Sequence, residues 1–316
     1  MWRGCAAWTA RPGARARAAG PRGSRPTFSN ATSRSGPAGG DRLSWEVGDT
    51  DVDTVKTLSV RRDGAAPPAR FCVDMEDRKF LLLHTGDPAG RADGAVGGLV
   101  GERRHEFDHA WFHPGLMARW ARSLGGGHTP GTRAGGAGAG GQPHRGAIEV
   151  RRGSQGRGGA FVEERISGTG RFSIRRGRSM GDHLDMVADC RGEYAKMVTS
   201  IERLRMGAPA RDGHGGIGGR PLAITYPEVG NLERFVDAMF DAKEPFRLWD
   251  PKMLRKRGQY SVPAVDLHGG SIINFEITPH MMRIYLGQES RGSAVLRLLA
   301  NLQAHHSAQA ECADLE

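Results

Sequence analysis

His105-Glu-Phe-Asp-His109 has the spacing HExxH. On a helix, that spacing sets two imidazoles on one side of a zinc ion and points the Glu at a metal-bound water as general base. Glu106 is then the candidate base. His105, His109 and His113 are the candidate metal ligands, each one helical turn after the last. Zinc is the cofactor this reading implies, and zinc-dependent hydrolysis the reaction. The neighbours fit it poorly. A third His six residues after the second would fall on Gly115, the next carboxylate after Asp108 is Glu149, and Arg103 and Arg104 put positive charge beside the cation. A solvated helical turn accounts for the string without any metal.

A second group of titratable residues lies on an expected hairpin, Tyr260–Leu267 and Ile272–Thr278. A three-residue loop Gly269–Ser271 sets Leu267 against Ile273 and Val265 against Phe275. It gathers Asp266, His268, Asn274 and Glu276 on one polar face. Asp266 and His268 are the candidate acid and base there. The solvated outer face of an antiparallel sheet explains the same pattern with no chemistry. Gly213-His-Gly-Gly-Ile-Gly218 matches GxGxxG, but a helix precedes it and a strand follows, the reverse of the dinucleotide-binding order. No GxSxG, Walker lysine loop or CxxC occurs. These readings lean away from an enzyme.

Arginine and glycine make the third pattern. Arg151, Arg152 and Arg157 lie in one RG-rich stretch, and Arg175, Arg176 and Arg178 in another. Arginine forks match phosphate oxygens, and glycine leaves the backbone free to follow a nucleic acid. These six are the candidate nucleic-acid contacts.

Composition divides the chain. Of its 47 glycines, 41 fall in residues 1–220. Residues 221–316 carry 10 Lys/Arg and 12 Asp/Glu, so the net charge of +10 comes from the earlier part. Residues 1–40 hold seven arginines and no acidic residue, a basic leader read as disordered. A cytoplasmic chain is expected, with an organelle such as the mitochondrion as the alternative that an Arg-rich leader allows. The four cysteines are scattered, and no apolar run is long enough to span a membrane, so none is expected as a partner.

The elements that must position these residues follow from periodicity. Residues 41–124 read as partly structured. Within them, 86–101 is a Gly/Ala/Asp-rich loop, and Arg103 to Leu124 a helix broken at Pro114. Residues 125–147 are a glycine-rich linker. Residues 148–207 hold a hairpin and then a long amphipathic helix from Ser179, whose seam Val187, Cys190, Tyr194, Met197, Ile201 and Leu204 is spaced 3, 4, 3, 4, 3. Residues 220–306 read as an α+β domain: a small, mostly antiparallel sheet with two helices, one capped by Asn231 and one by Ser293. The function expected is that of a non-catalytic binding or assembly module. It would work through the seam (Val187, Tyr194, Met197, Ile201, Leu204) and the C-terminal domain, with a protein partner or a second copy. A basic RNA- or DNA-associated protein using residues 145–178 is the first alternative, and the zinc hydrolase the second.

Overall fold

The computed structural model describes residues 4–10, 43–62, 67–103, 106–123, 147–153, 161–177, 179–207, 219–250, 254–256 and 258–315. In chain order the strands are Gly4–Ala10 (β1), Leu43–Asp49 (β2), Val55–Arg62 (β3), Ala69–Asp74 (β4), Phe80–Thr85 (β5), Phe107–His109 (β6), Ala147–Gly153 (β7), Phe161–Ser167 (β8), Arg171–Gly177 (β9), Leu222–Thr225 (β10), Leu248–Trp249 (β11), Leu254–Lys256 (β12), Gln259–Asp266 (β13), Ile272–Ile277 (β14), Met281–Leu286 (β15) and Glu311–Cys312 (β16). The helices are Ala89–Glu102 (α1), Pro114–Ser123 (α2), Met180–Arg203 (α3), Leu232–Phe240 (α4) and Gly292–His305 (α5).

Two antiparallel sheets result, in agreement with the α+β class. The first runs β2-β3-β4-β5-β1-β9-β8-β7, with β6 also on β1; the second runs β11-β13-β14-β15-β10-β16, with β12 also on β13. One continuous core joins them. It takes Phe80, Leu82, Val162, Ile166 and Phe172 from the first sheet and Leu222, Ile224, Val262, Phe275 and Ile284 from the second. Between these come Trp120 of α2, Met186 to Ile201 of α3 and Val295 to Leu302 of α5. Burial on this scale, at roughly 25 cal/mol per Å² of apolar surface, is the main force holding the layers together.

Residues 43–123 are more regular than their composition suggests. β5 reads Phe80-Leu-Leu-Leu83 because both its faces are covered: Phe80 and Leu82 enter the main core, Leu81 and Leu83 a second one. The second core lies under α1, which covers the outer face of β2 to β5 with Ala95, Val96, Leu99 and Val100. A loop was expected there. The helix forms despite five glycines because its apolar residues recur at helical spacing over an apolar sheet, and packing outweighs propensity.

The helix expected from Arg103 to Leu124 is also corrected. α1 ends at Glu102, residues 107–109 form β6 on β1, and α2 begins at Pro114. Pro114 does not interrupt a helix; it occupies the first helical position, where its missing N–H costs nothing. Part of the basic leader is strand: β1 lies between β5 and β9. Residues 11–42, the linker 124–146 and the GxGxxG string lie outside the described residues.

The second sheet differs from expectation in register. Val265 faces Ile272 and Val262 faces Phe275, with Asp266 N–H donating to the Ser271 carbonyl at 2.9 Å. The loop is Leu267–Gly270, closed by Gly270 at φ +70. This odd shift turns Asp266 inward with Tyr260, Val262 and Ala264, while Asn274 stays outside. α4 begins at its expected cap and α3 at Ser179, its expected start, whereas α5 begins at Gly292 with Ser293 inside it. Ser179 Oγ accepts from Asp182 N at 3.1 Å, and Asn231 Oδ1 from Arg234 N at 2.9 Å.

Candidate functional site: a buried arginine between two sheets

α5 is buried from Gly292 to Leu302. A helix enclosed on all sides should be apolar all round, yet Ser293, Arg297 and Asn301 make a polar stripe one residue wide, spaced i, i+4, i+8. Each finds a partner from another segment. Arg297 Nη2 donates to Asp266 Oδ1 of β13, and Nη1 lies 3.5 Å from Asp108 Oδ2 of β6. Ser293 Oγ donates to Asp108 Oδ2 at 3.4 Å, and Asn301 Nδ2 to the Pro245 carbonyl at 2.7 Å.

The surroundings complete the carboxylates. Asp108 Oδ1 accepts from His109 N at 2.8 Å and from the Trp111 indole N–H at 3.1 Å. Asp266 Oδ1 also accepts from His268 N at 3.0 Å. The Arg297 guanidinium lies 5.8 Å from the Trp111 ring centre, and Trp111 N–H donates to the Tyr194 hydroxyl at 3.2 Å. Burial works to raise the Asp266 pKa, but the Arg297 charge and hydrogen bonds outweigh it and hold the carboxyl below the usual carboxylate range. Burial likewise works to lower Arg297, and Asp266 and Asp108 outweigh it. Burial pushes the Tyr194 phenol well above its ordinary value. The group is hydrogen-bonded and buried, and it orients two sheets around α5.

The residues singled out in the sequence scatter around this hub. Asp266 is its member and is not on a solvated face; His268 contributes its backbone N–H, with its ring 6.1 Å from Trp111. Glu106 is exposed and paired with Arg103 at 2.7 Å. His105 lies outside the described residues, and His109 is on β6. His109 therefore stands on a strand and not on a helix. His113 is buried, its Nδ1 accepts from Leu116 N at 3.3 Å at the start of α2, and burial followed by Arg119 pushes its pKa down to about 4. Among the described residues, no cluster of three His, Cys, Asp or Glu is placed to hold a metal ion.

The α3 seam faces inward. Val187, Tyr194, Met197 and Ile201 are buried and Leu204 packs on the core, so the periodicity marks an internal spine and not a free pairing face. A second buried polar contact anchors its first turn: His183 Nδ1 lies 2.7 Å from Glu164 Oε1 of β8, and burial raises the Glu164 pKa against the pull of His183. Of the arginines, Arg175 and Arg176 are exposed on β9; Arg151 and Arg152 lie on β7, and Arg157 and Arg178 fall outside the described residues. Sequence reasoning missed Asp108, Arg297, Glu164 and His183. The i, i+4, i+8 polar stripe in an otherwise apolar helix was the signal that could have found Arg297.

The comparisons with known proteins cover this same part of the chain. Residues 145–315 match the model of the MJECL33-like protein family. The chain belongs to that family. Over 150 residues it is 31% identical to the uncharacterized protein MJECL33 of Methanocaldococcus jannaschii. That match takes in 47% of this chain and 36% of the relative, so the chain spans about a third of the curated relative's length. No solved structure matches. The segment matched to the MJECL33-like family runs from β7 to the C-terminal end of the second sheet, and it contains α3, Asp266 and Arg297 but not Asp108. Among the described residues, no helix is long and apolar enough to cross a membrane.

Proposed function

We propose that this member of the MJECL33-like family is a non-catalytic binding or assembly module that meets another protein chain through the outer face of its second sheet. One observation carries the reading. Trp249 pairs with Val265, and Val265 with Ile272, so the three form a cross-strand row. Trp249 is 46% exposed and Ile272 60%. Leu254, 57% exposed, lies on β12 along the same side of β13. Apolar residues exposed in a contiguous row mark contact sites, whereas single ones do not. α3 serves in this reading as the spine that supports the sheet.

A patch of this size is smaller than the ~800 Å² per partner of a standard stable interface, so a weak, reversible association is expected. The partner in this reading is a second copy of the chain. Sedimentation velocity of the full chain across a hundredfold concentration range tests it. Wild type should shift reversibly toward dimer, and Trp249→Ser/Ile272→Ser should stay monomeric with an unchanged circular dichroism spectrum. A wild-type chain that remains monomeric throughout, or a variant that dimerises equally well, overturns the reading.

A further inference from the structure

The arginine pattern of residues 145–178 has no part in that contact, which lies on the other sheet. This stretch holds nine arginines and three glutamates, with no lysine or aspartate. It folds as β7, β8 and β9, the end of the first sheet that α1 does not cover. The inner face is settled by Val150, Val162, Glu164, Ile166 and Phe172, all buried. Alternation then sends the other residues outward. Glu149, Arg165 and Ser173 make one cross-strand row, and Glu163 and Arg176 pair in the next.

A register shift between Glu163 and Glu164 leaves Arg175 as an extra residue on β9. Bulges re-aim side chains, and here Arg175 and Arg176 are both exposed in succession. Gly177 ends the strand where a Cβ would come within 2.7 Å of the Phe161 carbonyl, which lets β9 close tightly on β8. Arg171 is spoken for by Asp93 of α1, at the border of the covered face. Arg165, Arg175 and Arg176 are exposed and form no ion pair among the described residues. Two carboxylates, Glu149 and Glu163, share the outer face with them. The bland explanation of charges near a sheet edge is protection against edge-to-edge aggregation. That purpose is served by either sign and by lysine; a run of arginine alone matches the forked donor geometry that phosphate accepts.

We infer that the outer face of β8 and β9, through Arg165, Arg175 and Arg176, is a binding surface for the phosphate backbone of double-stranded nucleic acid. Phe161, half-buried at the start of β8, is the one aromatic ring on this face among the described residues, and a single ring gives no row of platforms on which successive bases of a single strand could stack. Contacts confined to phosphates give affinity that is independent of sequence and steep in salt. The inference stands apart from the protein–protein reading: the two surfaces share no residue.

Fluorescence anisotropy of the full chain with a labelled 25-base-pair duplex of mixed sequence, from 50 to 200 mM NaCl, tests it. Three phosphate contacts predict a log–log slope of about −2.7 from these arginines, a loss of about fortyfold across that range. Arg165→Ala/Arg175→Ala/Arg176→Ala should bind at least tenfold more weakly at 100 mM and lose that part of the slope. The triple Lys variant should keep the slope, and Trp249→Ser/Ile272→Ser should bind as wild type does. Wild type without affinity at 50 mM overturns the inference. So does a triple Ala variant that binds unchanged, which would move the contact to the Arg-rich leader. A clear preference for the single strand, or tighter Arg-dependent binding to phosphatidylglycerol vesicles than to duplex, also overturns it.

Discussion

Arg297 and Asp266 meet as an ion pair that is almost wholly out of water, on α5 and on β13. Asp108 reaches the same guanidinium from β6, so one side chain ties both sheets to the helix between them. Removing one partner of a buried pair strands a charge, which costs more than the pair itself contributes. Arg297→Met should therefore destabilise the chain by about 3–5 kcal/mol in urea unfolding. Adding Asp108→Asn and Asp266→Asn to that variant should recover part of the loss, because the stranded charges are then gone. A triple variant less stable than the single one would show that shape, and not charge balance, decides the site.

The same pair sets an acid limit. Asp266 is held below its ordinary range in the folded state, so the unfolded chain takes up its proton first as pH falls. Stability from this group is complete above the unfolded carboxyl pKa of ~3.9 and is lost as pH drops through the lower folded value. Asp266→Asn should remove that acid-labile portion while costing stability at pH 7. Urea midpoints of wild type and variant should accordingly converge below pH ~4. Parallel curves over the whole range would mean that Asp266 is not the titrating group.

His113 gives a second and separate pH window. Its folded pKa lies at about 4 against 6.5 for the ordinary group, so between those values the unfolded chain binds the proton and the folded chain does not. Stability should fall as pH drops from 6.5 to 4 and level off below, by about 3 kcal/mol in all. Asn can accept from the first-turn amide as His113 Nδ1 does. In His113→Asn the slope between pH 4 and 6.5 should shrink by most of that amount while α2 remains formed. An undiminished slope would assign it to other groups.

How far the sequence could be read depended on whether local pattern or distant contacts decided each element. Asn231 was legible as a cap because capping is settled within three residues, whereas Ser293, read the same way, lies inside α5, which starts at Gly292, and donates to Asp108 instead. The α3 seam was legible as a seam, but periodicity shows which face is buried and not what buries it; the answer was α5 and the first sheet. Asp266 was misplaced because register arguments count apolar residues inward, and its partner Arg297 lies 31 positions on. Asp108 and Arg297 are 189 apart and carry no local trace of each other. The helix expected over Arg103 to Leu124 failed for the opposite reason: its pattern is local, while the strand at Phe107–His109 is built on β1.

α1 shows the same competition in a form that two glycines can test. Gly97 is exposed in its middle, with nothing within 4 Å of where a Cβ would stand. Gly97→Ala should raise stability by up to ~1 kcal/mol, since the unfolded chain loses freedom and the helix loses nothing. Gly292 is the contrary case. A Cβ there would lie 2.6 Å from the Val198 carbonyl, where α5 packs on α3. Gly292→Ala must push those helices apart, and overpacking of this kind costs roughly 1–3 kcal/mol. Thermal unfolding of the two variants should move in opposite directions. If Gly292→Ala were neutral, the close α3–α5 approach would not be a fixed feature of the core, and the shared placement of Tyr194 and Arg297 around Trp111 would have to be held by the polar contacts alone.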